Sequence, residues 1–248
     1  MTGRPDASAA TPDFGRRATV YDRVRPVDDN WWELFRLIER EADLVGRRVL
    51  NVGCGTGRLE QALEGRARVW GVDASPEMLE VARGKGSGAT FKHGRAEALP
   101  FKDGWFERAV MWLVVHLVER PRAFAELRRV LRPDGRAVVA TFDPSYFDAF
   151  WLNRLLPSMQ AIDRARFPTA EELEAELAAA GFAETRLLRL SQRASHAREA
   201  ALMRIRERHI STFDLISDEE YEAGLARAER ELPERVEYPV EWLIAIAS

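Results

Sequence analysis

The chain holds one cysteine and three lysines in 248 residues. A single thiol, Cys54, cannot form an internal disulfide, so a reducing cytoplasmic setting is expected rather than a stapled secreted fold. Set between Gly53 and Gly55, it reads as a small loop residue and not as a nucleophile. Net charge is also scarce. The formal value is −3, the basic residues are nearly all arginine, and no basic stripe gathers them. That leaves no general pull toward nucleic acid or an anionic membrane. Long apolar runs are missing too: Ala109 to Val118 is too short to cross a bilayer. Met1 to Arg17 has no apolar core, which excludes a signal peptide and suggests a loose tail over 1–17. Repeats and low-complexity tracts are absent.

What is present begins with Val49-Leu50-Asn51-Val52-Gly53-Cys54-Gly55-Thr56-Gly57. A short apolar strand breaks into alternate glycines and then a helix from Leu59, which lets backbone pass close beneath a ligand. Arg68 to Asp73 is a second strand that ends in an acid. Asp73 lies about 20 residues past the first glycine, the spacing at which a βαβ unit sets a carboxylate on ribose hydroxyls. Together they make a nucleoside-binding half-site.

The rest of the chain extends this unit. Asp28 to Asn30 cap a helix with Trp31, Leu34, Phe35 and Ile38 on its apolar face, ending near Gly46. Ser75 and Pro76 start another helix. Strands are expected at Ala89–Lys92, at Ala109–Val118 including its exit, at Ala137–Phe142, at Thr185–Leu190 and at Tyr238–Ala247. A helix from Phe124 to Leu131 precedes Pro133 and Gly135, and Thr169 with Glu172 forms a capping box for one that ends at Gly181.

Four stretches in this order resemble the class I S-adenosylmethionine-dependent methyltransferases, in the branch of small-molecule and quinone-type enzymes. Val49 to Gly57 is similar to the cofactor loop and Val72 to Leu79 to the ribose segment. Gly94 to Phe101 resembles the adenine segment, and Leu131 to Arg136 the turn before the fifth strand. The resemblance covers roughly Tyr21 to Gly181, with a seventh strand at the C-terminus. It implies an α/β fold, a doubly wound, mostly parallel seven-stranded sheet with the last strand antiparallel. The whole reads as a single domain over 18–248, with helical cap insertions at about 143–168 and 194–233. It also implies S-adenosylmethionine as cofactor. That molecule carries no phosphate, so Gly53, Cys54, Gly55 and Gly57 need only admit it closely, without a helix start aimed at pyrophosphate. Asp73 would accept from the ribose. Ala74 and Met78 would flank the adenine, Ala96 would meet its edge, and Met111 would stand nearby. The usual acid of the adenine segment is replaced by Arg95, which cannot accept a hydrogen bond. Either Glu97 or a backbone carbonyl takes its place, or cofactor binding is weakened.

Methyl transfer is an in-line displacement, and a base is needed only where the acceptor must lose a proton. His116 aligns with a histidine found at the end of the fourth strand in the family, which makes it the candidate base. Tyr21 resembles a tyrosine that closes over the cofactor, with Arg25 on the same lid. The metal-dependent branches place acids where this chain has Met111, Trp112 and His116, so no metal is expected. Acceptor choice falls to the insertions. Phe147, Phe150 and Trp151 belong to the first; the second carries Arg204, Arg206, Arg208 and His209, of which Arg208 and His209 are the candidate contacts to an anionic acceptor. The expected activity is methyl transfer to O, N or C of a small molecule by a monomer or homodimer. A non-catalytic cofactor-binding protein is the alternative. A nucleic-acid methyltransferase is disfavoured by charge and by the lack of an Asn/Asp-Pro-Pro-Tyr segment after the fourth strand.

Overall fold

The apolar runs pair into one seven-stranded sheet in a computed structural model that describes residues 14–248. Five strands lie parallel: β1 (Arg48–Val52), β2 (Arg68–Asp73), β3 (Thr90–His93), β4 (Phe106–Trp112) and β5 (Leu131–Phe142). With β6 (Thr185–Ala197) and β7 (Arg235–Ala247) the order is β3-β2-β1-β4-β5-β7-β6. β7 is antiparallel to both of its neighbours, as the family resemblance implied. The order reverses between β1 and β4, and their carboxyl ends open the crevice in which such sheets hold ligands.

Alternate residues of the central strands face opposite ways, so each face has its own apolar cluster. Val49, Val110 and Val138 belong to one, Leu50, Ala109 and Val139 to the other. Helices cover both. They are α1 (Phe14–Val24), α2 (Asp29–Ala42), α3 (Arg58–Ala62), α4 (Pro76–Gly84), α5 (Arg120–Val130), α6 (Ser158–Arg166), α7 (Ala170–Ala179), α8 (Arg198–Arg206) and α9 (Asp218–Glu231). The expected caps are in place. Asp28 accepts from the Trp31 N–H at 2.9 Å, Ser75 accepts from Met78 N–H at 3.2 Å, and Thr169 and Glu172 form a reciprocal box.

Several boundaries differ from expectation. Most of the expected tail lies outside the described residues, but its last four residues, Phe14 to Arg17, begin α1. α2 stops at Ala42, because Asp43 takes the left-handed conformation (φ +53°) that ends a helix. α5 starts at Arg120, ahead of Phe124, with Pro121 in its first turn where a missing N–H costs nothing. β4 ends at Trp112 and not at Val118. β6 and β7 pair for thirteen residues each, from Thr185↔Ala247 out to Ala197↔Arg235, so the second insertion is helical only from Arg198.

Candidate active site

The glycine loop folds back over β2: the N–H groups of Gly53 and Cys54 both donate to the Val72 carbonyl, at 2.7 and 3.0 Å. The glycines have different tasks. A Cβ on Gly53 would lie 2.5 Å from Val114, and one on Gly57 would lie 3.0 Å from Ala82. Both also take positive φ, +70° and +77°, so packing and conformation each require glycine there. At Gly55, φ is +52° and a Cβ would meet nothing within 4 Å, so this is the loop's open face. Asp73 borders it. One carboxylate oxygen accepts from Gly55 N–H at 2.8 Å and the other from Ser75 N–H at 2.9 Å. Burial pushes its pKa up while those N–H bonds pull it back. Each oxygen keeps a lone pair for a further donor. An open glycine face beside a carboxylate acceptor fits the ribose of a nucleoside.

Two buried groups lie beneath the loop. Glu60 accepts from the Asn51 amide at 3.0 Å through Oε1, while Oε2 has no partner. Burial pushes its pKa up to about 7. Burial also pushes the Cys54 thiol up, so it stays protonated and is no nucleophile.

α1 crosses above the loop. Its Asp22 accepts from Thr56 Oγ1 at 2.7 Å and Arg58 Nε at 2.8 Å, and pairs with Lys85 at 2.5 Å. Arg58 also donates to the Arg25 carbonyl. The Tyr21 ring carries the guanidinium groups of Arg25 and Arg58 at 5.5 and 5.3 Å. Further back on α1, Arg17 reaches the Arg208 carbonyl at 2.7 Å and Asp214 at 2.5 Å. One helix thus ties the glycine loop to the C-terminal insertion.

Between them lies a chamber of about 310 Å³. β4 leaves the sheet at Trp112, and Leu113 turns at φ +55°, a costly conformation outside glycine. That turn puts the short helix Val115–Leu117 at the mouth and His116 in the wall, stacked on Phe167 with centroids 4.1 Å apart. His116 Nδ1 is buried with no partner. Burial, aided by the charges of Arg166 and Arg25, pushes its pKa well below the ordinary histidine value. The ring is therefore a neutral base near pH 7. Phe142, Tyr146, Phe147, Phe150 and Trp242 make the remaining walls largely aromatic. Asp163 on α6 holds the two insertions together: Thr212 Oγ1 donates to it at 2.6 Å, and Arg166 lies 3.5 Å away while donating to Thr212 and Ser211.

Residues 50–139 match a methyltransferase domain, and demethylmenaquinone methyltransferase of Thermus thermophilus is 33% identical over 174 residues, 59% of this chain and 79% of the relative. The chain belongs to the class I S-adenosylmethionine-dependent methyltransferases. Its cofactor is S-adenosylmethionine. Malonyl-[acyl-carrier protein] O-methyltransferase of Erwinia pyrifoliae is 36% identical, and there the match spans about half of each protein, 52% of this chain and 49% of the relative. The fold also matches a solved complex of phosphoethanolamine N-methyltransferase 2 of Haemonchus contortus with phosphomonomethylethanolamine and S-adenosylhomocysteine. That match has a TM-score of 0.61 at 17% identity and covers 100% of this chain and 60% of the other.

In this methyltransferase, Tyr21, Arg25, Gly53, Cys54 and Gly55 line the chamber's loop side together with His116. Met78 and Met111 are enclosed in the core, and Ala96 is buried. The Ala74 carbonyl lies 3.1 Å from His93 Nε2. Glu97 accepts from Glu119 N–H at 3.0 Å and pairs with Arg95 at 3.3 Å, so each of these charges answers the other. Among the acceptor candidates, Phe147, Phe150 and His209 face the chamber. Trp151 packs outside it on Phe150 and Tyr238. Arg208 turns away, pairing with Asp218 at 3.2 Å and lying 3.8 Å over the Tyr221 ring. The residues that sequence reasoning missed are on the outer hairpin. Gln192, Ala194 and His196 on β6, with Tyr238, Val240 and Trp242 on β7, alternate inward to form a wall. That period-two pattern was the available signal; the polar residues within it read as loop.

Proposed function

We propose that this methyltransferase acts on O, N or C of a planar small molecule held in the aromatic chamber beneath the two insertions. The observation that carries this reading is the continuity of one cavity from the glycine loop to the cap, with His116 between them. S-adenosylmethionine supplies an electrophilic methyl on sulfonium when bound. Asp73 accepts from its ribose hydroxyls, Gly55 gives it close backbone approach, and Tyr21 and Arg25 close over it from α1. Aromatic walls favour a flat acceptor by stacking, in keeping with the quinone substrate named for the Thermus relative. His116 takes the acceptor's proton through Nε2 or Nδ1 where the acceptor is a hydroxyl.

The test is incubation with methyl-labelled cofactor and a cell extract. Label should appear in small aromatic molecules. Label confined to protein or nucleic acid would sink the reading. With the labelled acceptor in hand, His116→Ala should lower kcat by roughly 10²–10⁴, the usual worth of a general base, while cofactor affinity holds. Unchanged turnover with a lower melting temperature would make His116 a wall residue, and the enzyme would work by positioning alone.

A further inference from the structure

The chamber contains one cation with no task so far, Arg204, beside a second, Arg25, whose guanidinium has no counter-ion among the described residues. Arg204 on α8 lines it, yet no carboxylate comes within 4.0 Å of its guanidinium, and that group donates no hydrogen bond among the described residues. Its neighbours in sequence are all engaged. Arg206 pairs with Glu229 at 2.8 Å and Glu199 at 3.3 Å, and Arg208 pairs with Asp218. Arg204 and Arg206 lie two residues apart on α8 and so on opposite sides of it, and the left-handed turn at Arg208 (φ +44°) sends Arg208 outward and brings His209 back inside. There His209 Nδ1 sits 2.8 Å from the Arg204 carbonyl. Burial pushes the Arg204 pKa down, which marks a guanidinium short of both water and a counter-ion.

Arg25 enters the same chamber from α1. Its side chain donates only to the Tyr21 hydroxyl, at 3.3 Å, and has no ion pair among the described residues. Both charges are felt by the same three groups, Tyr146, Tyr238 and His209. The carboxylates in reach are spent elsewhere. Asp163 serves Thr212 and Arg166, and Asp28 caps α2 at the exposed mouth. Unpaired cations in a part-buried wall are expensive, and a ligand oxygen with full charge answers them by charge-assisted hydrogen bonds. We propose that the acceptor is a flat aromatic carboxylate whose carboxyl group is held by Arg204 and Arg25. This rests on the chamber being the acceptor site. Tyr146 lines the same chamber, where its hydroxyl can add a third donor.

Two probes of one shape separate the ideas: 2-naphthoate and its neutral analogue 2-naphthamide, titrated by calorimetry into the full chain with S-adenosylhomocysteine bound. Naphthoate should bind about 10- to 100-fold more tightly, the range for a hydrogen bond to a charged group. Arg204→Gln should abolish that preference, leave naphthamide within about 2-fold, and leave the affinity for S-adenosylhomocysteine unchanged; Arg204→Lys should restore part of it. Equal binding of both probes to the wild-type protein would overturn the carboxylate while the aromatic chamber stood. Failure of both probes to bind would overturn the chamber reading and this inference with it. Equal weakening of both probes in Arg204→Gln would make Arg204 structural and also overturn it.

Discussion

Glu60 is a carboxylate with 1% exposure, one amide partner and one orphaned oxygen, directly below the glycine loop. Its folded pKa of about 7 exceeds the unfolded value of 4.5, so the folded state holds the proton more tightly. Stability from this group is full below about pH 4.5 and is lost as pH rises through about 7. Glu60→Gln keeps the shape and removes the charge. Its unfolding free energy should be close to wild type at pH 5 and exceed it at pH 8 by an amount on the order of 2–3 kcal/mol, seen as a higher melting temperature. A constant gap across that range would show that Glu60 does not titrate there. Residue-scale legibility was uneven for a physical reason. Asp73 was readable because a strand end beside a glycine loop leaves an acid few other tasks. Arg204 was not, because Arg204, Arg206 and Arg208 alternate like a solvated charge run, and which side of α8 faces the chamber is set by tertiary packing.

At the scale of elements, α1 is a short helix whose hold on the body is mainly polar. Asp22 alone accepts from Thr56 and Arg58 and pairs with Lys85, reaching both the glycine loop and the end of α4. Because Asp22 is partly exposed, the loss in Asp22→Ala should be near the low end for charged hydrogen bonds, about 1 kcal/mol of cofactor affinity. It should also speed trypsin cleavage within α1, at Arg23. Unaltered cleavage and affinity would mean that Arg17 holds the helix down unaided. The sequence pointed to Tyr21 and Arg25 but not to Asp22, whose partners lie more than thirty positions away. The same distance in sequence hid the outer hairpin. β6 runs on through Ser191-Gln192-Arg193-Ala194-Ser195-His196, residues with little strand preference, because β7 pairs with every one and the chamber buries Gln192 between Asn30, Glu33 and Trp242. Tertiary pairing outweighed local propensity.

At the scale of the molecule, the sheet was legible because alternating strands and helices leave few ways to bury both faces, and the reversal between β1 and β4 follows from that winding. The glycine loop, β2 and α1 meet at that reversal, so a ligand bound there touches elements from separate parts of the chain and should stabilise the fold as a unit. Binding to the native state alone adds RT ln(1 + [L]/Kd), about 2.7 kcal/mol at one hundred times Kd. For a domain of this size that corresponds to a rise in melting temperature of roughly 5–11 °C with S-adenosylhomocysteine. NAD should give none, since this loop has no pyrophosphate seat. Asp73→Ala removes acceptors for the ribose and should cost about 1.5–3 kcal/mol of affinity. At the same ligand concentration most of the thermal shift should then disappear. Because Asp73 also ties Gly55 to Ser75, the variant's melting temperature without ligand must serve as its own baseline. A full shift retained above that baseline would take Asp73 out of the ribose site and leave it as the clasp between β2 and the loop.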